Sequence, residues 1–89
     1  MRLELYTSAF CGACHAARAA VGDAERLVPG LEHVDVDVAT DPDRAEARDI
    51  VSTPTIVLTD DEGSELFRAA GAPTVPQLLH AIAAHLPAA

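Results

Sequence analysis

The chain has two cysteines, Cys11 and Cys14, and both fall in one motif, Phe10-Cys11-Gly12-Ala13-Cys14-His15. The motif stands between a short apolar run, Leu3 to Tyr6, and a stretch of helical periodicity. Three physical reasons suit such a pair to thiol–disulfide exchange. Residues three apart at a helix start are neighbours, within the separation a disulfide requires. A cysteine at the helix start meets free N–H groups and the positive end of the dipole, which favour its thiolate. The periodicity also separates the two sulfurs: Cys14 joins the apolar stripe with Ala17 and Val21, and Cys11 heads the polar stripe with His15 and Arg18. Cys11 is therefore expected to attack and Cys14 to resolve.

Other chemistries fit parts of this pattern. Cys-x-x-Cys-His is also an attachment signature for c-type haem, but the only methionine is Met1, which leaves a poor choice of axial ligand. Two cysteines supply half of a zinc site, and His33, His80 or His85 would have to complete it. No metal and no cofactor is expected. His15, four residues after Cys11, could assist its thiolate when protonated, although an exposed helix histidine is the simpler reading. His33, His80 and His85 read as exposed, Asp35 and Asp37 as a solvated strand face, Asp60 to Gly63 as a turn, and Tyr6 as core.

The elements that must hold the motif can be read from the same pattern. Leu3–Tyr6 reads as a strand. Cys11 to about Val28 reads as a helix, with Cys14, Ala17, Val21, Ala24 and Val28 on its apolar side and Pro29-Gly30 as its stop. Leu31–Val38 alternates as a half-buried strand. Asp41-Pro42 opens a short helix running to about Asp49. Thr55–Leu58 and Glu65–Ala69 read as a hairpin, with Pro54 at its entrance. Thr74 caps a last helix with Val75, Leu78, Leu79, Ile82 and Leu86 on its inner side. The order is β-α-β-α-β-β-α, an α/β chain with a four-stranded mixed sheet, parallel pairing first and an antiparallel hairpin after it.

Eighty-nine residues suffice for one domain spanning 1–89. Six Arg, no Lys and fourteen acidic residues give a net charge of -8. That balance argues against unspecific binding to nucleic acid or to an anionic membrane, and for a self-repelling monomer. No apolar run reaches the roughly 18 residues of a membrane span. The N-terminal Met-Arg-Leu-Glu-Leu-Tyr, with Glu4 inside it, does not read as a signal peptide, so a cytoplasmic protein is expected.

On these residues the chain resembles the thioredoxin family. Phe10-Cys11-Gly12-Ala13-Cys14 is similar to the family's Trp-Cys-Gly-Pro-Cys, and Ser52-Thr53-Pro54-Thr55 to the segment with its cis-proline. Val34-Asp35-Val36-Asp37, Asp41-Pro42 with Ala45-Glu46, and Gly71-Ala72 with Thr74 and Gln77-Leu78 resemble the intervening parts. The family's extra N-terminal strand and helix are missing, which reduces the architecture to a glutaredoxin-like minimum. The resemblance implies a thiol–disulfide oxidoreductase acting on protein disulfides and re-reduced by a separate reductase. It places Thr53 and Pro54 opposite the cysteines, with Thr53 pairing its backbone to an extended substrate, Gly71 and Ala72 along the same groove, and Phe10 beside Cys11. The chain departs from the family at Ala13, at Phe10, and at Leu5, where many thioredoxins bury an Asp behind the cysteines. Glu4 should face the other side of its strand. Glutathione as substrate, in the glutaredoxin manner, and a non-catalytic thioredoxin-fold binding module are the alternatives.

Overall fold

The computed structural model describes residues 1–86. Its elements are β1 (Arg2–Thr7), α1 (Gly12–Leu27), β2 (Glu32–Asp37), α2 (Pro42–Ala47), β3 (Thr55–Thr59), β4 (Glu65–Ala70) and α3 (Val75–Ala84). The expected order is therefore observed. The strands form one sheet in the order β2-β1-β3-β4, with β1 parallel to β2 and antiparallel to β3, and β3 antiparallel to β4. A parallel β1–β2 pair needs a crossover, and α1 supplies it.

Local chemistry sets most of the boundaries. Cys11 is the N-cap of α1 rather than its first residue, because its side chain accepts the Cys14 N–H from an extended backbone. The Asp41 side chain accepts the Arg44 N–H and Pro42 opens α2, which ends at Ala47, two residues earlier than expected. Thr74 and Gln77 form a reciprocal capping box on α3. In the β3–β4 turn, Asp60 Oδ1 accepts the N–H groups of Glu62 and Ser64, and Gly63 takes a φ of 85°, a value costly for any residue with a Cβ.

Period-two alternation along β1 assigns its side chains to opposite sides of the sheet. Leu3 and Leu5 join Ile56 and Leu58 beneath Ala17, Val21 and Ala24 of α1 and Leu78 and Ile82 of α3. On the other side Tyr6 packs with Val36, Ala45 and Val57. Glu4 lies on that second side and is buried, as the alternation requires. Its Oε1 accepts the Tyr6 hydroxyl at 2.8 Å and Arg48 Nε at 3.1 Å, and its Oε2 accepts Arg44 Nη2 at 3.2 Å. Two expectations need correction. Leu86 lies beyond the end of α3 and is 52% exposed, because the helix stops at Ala84 before completing that turn. His33 is partly buried rather than exposed, lying between Glu25 on α1 and Asp35 on its own strand.

Candidate active site

The topology gathers three chain segments at one end of the sheet. Pairing of Tyr6 with Thr55, and of Thr55 with Ala70, puts the exit of β1, the entrance of β3 and the exit of β4 side by side. The exit of β1 delivers Ser8 to Phe10 and then the Cys11 cap. The entrance of β3 carries Thr53-Pro54, and the exit of β4 carries Gly71. Hydrogen bonds tie the three together: the Ser8 and Thr53 hydroxyls are 2.6 Å apart, and the Gly71 N–H donates to the Pro54 carbonyl at 2.9 Å. The Thr53–Pro54 bond is cis, as the resemblance implies.

Cys11 and Cys14 form a disulfide with a Cα separation of 5.3 Å. Their surroundings differ. Cys14 is 3% exposed and belongs to the buried stripe of α1. Cys11 is half-buried, and its Sγ accepts the Cys14 N–H at 3.2 Å. No acidic residue occupies the first turn of α1, so nothing there opposes negative charge on that sulfur. The cleft around the pair is lined by Ser8, Phe10, Cys11, Gly12, Cys14, His15 and Arg18. Phe10 is fully exposed and holds a φ of 60°, in the left-handed region that a bulky residue rarely adopts.

A second cleft adjoins the first at Ser8 and is lined by Val38, Ile50, Val51, Ser52 and Thr53. Among the described residues, no backbone hydrogen bond engages the N–H or C=O of Thr53. Ala72 is exposed and lines a different cleft, between β4 and α3, with Phe67 and Pro76. Ser8 and the fully exposed Val51 were not legible as site residues. Ser8 meets Thr53 across 45 residues, and Val51 shares a cleft with Ser8 and Val38, juxtapositions that leave no local signal. No three His, Cys, Asp or Glu side chains come together as a metal site among the described residues, so the histidines that a zinc site would need are not assembled around the cysteines. Leu5 is fully buried in the core that also holds the inner side of α1, and the one buried carboxylate of β1, Glu4, is across the sheet.

No family model matches the chain. Over 83 residues it is 32% identical to the thioredoxin of Methanocaldococcus jannaschii, a match covering 92% of each chain. Its fold superposes on thioredoxin 1 of Thermosipho africanus with a TM-score of 0.82, over 96% of this chain and 93% of that one at 19% identity. It also superposes on Fasciola hepatica thioredoxin with a TM-score of 0.83 at 26% identity, over 96% and 80%, and on oxidised mitochondrial thioredoxin 3 of Saccharomyces cerevisiae with a TM-score of 0.79 at 25% identity, over 96% and 77%. These likenesses and the Cys11–Cys14 pair at the cap of α1 lead to one conclusion: the chain belongs to the thioredoxin family and is a thiol–disulfide oxidoreductase.

Proposed function

We propose that the chain reduces disulfides of proteins, with Cys11 as nucleophile and Cys14 as resolving thiol. The Cys11 thiolate attacks one sulfur of the substrate disulfide. That S–S bond breaks, its second sulfur leaves as a thiolate and is protonated, and Cys11 holds the first in a mixed disulfide. Cys14 then gives up its proton and attacks Cys11 Sγ. The intramolecular disulfide forms and the second substrate thiol departs, so two electrons and two protons have passed to the substrate. A separate reductase returns them. The observation that carries this assignment is the asymmetry of the pair: a half-buried cysteine whose sulfur accepts a helix N–H, beside a cysteine that is 3% exposed.

Protein substrates are favoured over glutathione by the groove. The free backbone of Thr53 can pair with an extended segment in the manner of strand addition. Phe10 is supported neither by burial nor by backbone preference, which is the signature of a residue kept for contact with a partner. In this reading Pro54 shapes the floor of the groove and Gly71, bonded to the Pro54 carbonyl, continues its wall, whereas Ala72 belongs to the cleft between β4 and α3. The protein acts as a cytoplasmic monomer in electron transfer and cell redox homeostasis; both cysteines serve exchange, and none is spent on a structural staple elsewhere.

Brief iodoacetamide treatment of the reduced protein, followed by peptide mapping, should label Cys11 well before Cys14. Equal labelling, or faster labelling of Cys14, would overturn the assignment. In lysates, Cys14→Ser should accumulate mixed disulfides with client proteins and Cys11→Ser should hold far fewer. Insulin reduction with dithiothreitol should be accelerated by the native chain and not by Cys11→Ser; an inactive native chain would favour the binding-module alternative.

A further inference from the structure

The charges of this chain are unevenly placed. None of its fourteen acidic residues lines either cleft of the active-site groove. Asp60, Asp61 and Glu62 instead crowd the opposite end of the sheet, beyond Thr59, around Met1 and Arg2. The ionisable side chains in the cleft beside the disulfide are, apart from the cysteines, His15 and Arg18. Arg18 is tethered through Nε, which donates to Asp35 Oδ2 at 3.2 Å, and Asp35 is in turn held by His33. That tether occupies one edge of the guanidinium. Among the described residues its two terminal nitrogens make no hydrogen bond, and the side chain is about half exposed, at 48%.

We propose that Arg18 is a specificity-determining residue that binds a carboxylate flanking the target cysteine of a polypeptide substrate, with Asp35 as its positioning residue. The inference rests on the reading of Cys11 as the attacking sulfur. Arginine suits this task because its planar fork presents paired donors to a carboxylate. The net charge of -8 opposes an acidic substrate at long range, but at physiological salt that field is screened beyond about 8 Å. Within that distance the lining of the groove decides, and that lining carries the Arg18 guanidinium, with Asp35 bonded behind it, and no carboxylate of its own. A lysine at the same substrate position would meet Arg18 with like charge.

The test uses peptide disulfides identical except for Glu, Gln or Lys beside the reacting cysteine, placed on either side of it. The native chain should give kcat/KM in the order Glu, Gln, Lys, with a Glu-to-Gln preference of about threefold, the size expected of an exposed ion pair. Added salt should shrink that preference. Arg18→Gln should abolish it, read as the ratio of the Glu to the Gln peptide within that variant, and Arg18→Glu should invert the Glu-to-Lys ratio. Asp35→Asn should reduce the preference without inverting it. A Glu-to-Lys ratio unchanged by Arg18→Gln, or a native preference for Lys, would overturn the proposal. Glutathione disulfide, which also carries carboxylates, is run in parallel; Arg18 dependence there but not with the peptides would overturn the polypeptide assignment. Failure of the native chain to turn over even the Gln peptide would overturn the exchange reading and this proposal with it.

Discussion

The two sides of the central sheet are built on different principles. One side has an apolar centre: Leu3, Leu5, Ile56 and Leu58 lie under two helices, and Cys14 lies on the buried stripe of one of them, α1. The other side is covered by the six residues of α2 and centres on a buried ion cluster, with Glu4 held by Tyr6, Arg44 and Arg48. The cluster extends outward as Arg48 Nη2 donates to the Gly63 carbonyl at 2.6 Å and Arg68 donates to the carbonyls of Arg48 and Asp49. Arginine side chains thus do on the second side part of what a longer helix does on the first, since their stems cover apolar surface while their heads remain partly hydrated. Two neighbouring residues of one strand, Glu4 and Leu5, sit in these opposite environments. A carboxylate is tolerated on one side because every oxygen has a partner, and the other side offers it none.

Exchanging those environments should have the largest effect. Leu5→Asp places a carboxylate in the apolar layer and should lower unfolding free energy by about 3–5 kcal/mol, read by urea denaturation. A cost below that of any Glu4 variant would show that the apolar side tolerates charge after all. The same variant sharpens the functional side of the comparison. A buried thiol surrenders its proton reluctantly, and the native chain has no carboxylate at Leu5 to take it. Stopped-flow resolution of a mixed disulfide at neutral pH should therefore be faster in the folded Leu5→Asp protein than in the native one. An unchanged rate would mean that Cys14 already has an adequate proton acceptor.

Glu4→Gln should cost less, about 1–3 kcal/mol, because Arg44 and Arg48 are partly exposed and can recover water. Its diagnostic is pH. Burial by itself would raise the Glu4 carboxyl, but the bonds from Tyr6, Arg48 and Arg44 together hold it below the ordinary glutamate range. Burial, followed by the bond to Glu4, pushes the Tyr6 hydroxyl up. A carboxyl whose folded pKa is depressed contributes stability above its unfolded pKa and loses it as pH falls through the folded one. The native chain should lose stability across that acidic interval, and Glu4→Gln should flatten this part of the curve. Parallel curves for the two proteins would remove Glu4 from the account of acid stability.

The smallest effect is expected at the exposed rim. The Arg2–Glu32 pair joins β1 to β2 with both side chains largely hydrated, so Arg2→Ala should change stability by no more than about 0.5 kcal/mol. A loss as large as that of Glu4→Gln would break the distinction between buried and exposed ion pairs in this fold.

Residue types and spacing were enough to locate the cysteine pair, to tell its buried member from its more exposed one, and to order the seven elements, because capping, turn chemistry and hydrophobic period act over a few residues. Alternation along β1 was likewise enough to separate Glu4 from Leu5. What Glu4 does there was not legible. Arg44 and Arg48 lie forty or more positions away, and only the docking of α2 brings them to its oxygens. The same holds at the active site: Ser8 meets Thr53 across 45 residues, and Arg18 meets Asp35 on a different element. Leu86 marks the converse failure, where a periodic pattern outran its helix and the side chain was left in solvent. Local rules decide which element a residue joins. Only the packing of those elements decides which distant charges and hydroxyls it meets, because such contacts depend on register and crossing that no short stretch of sequence encodes.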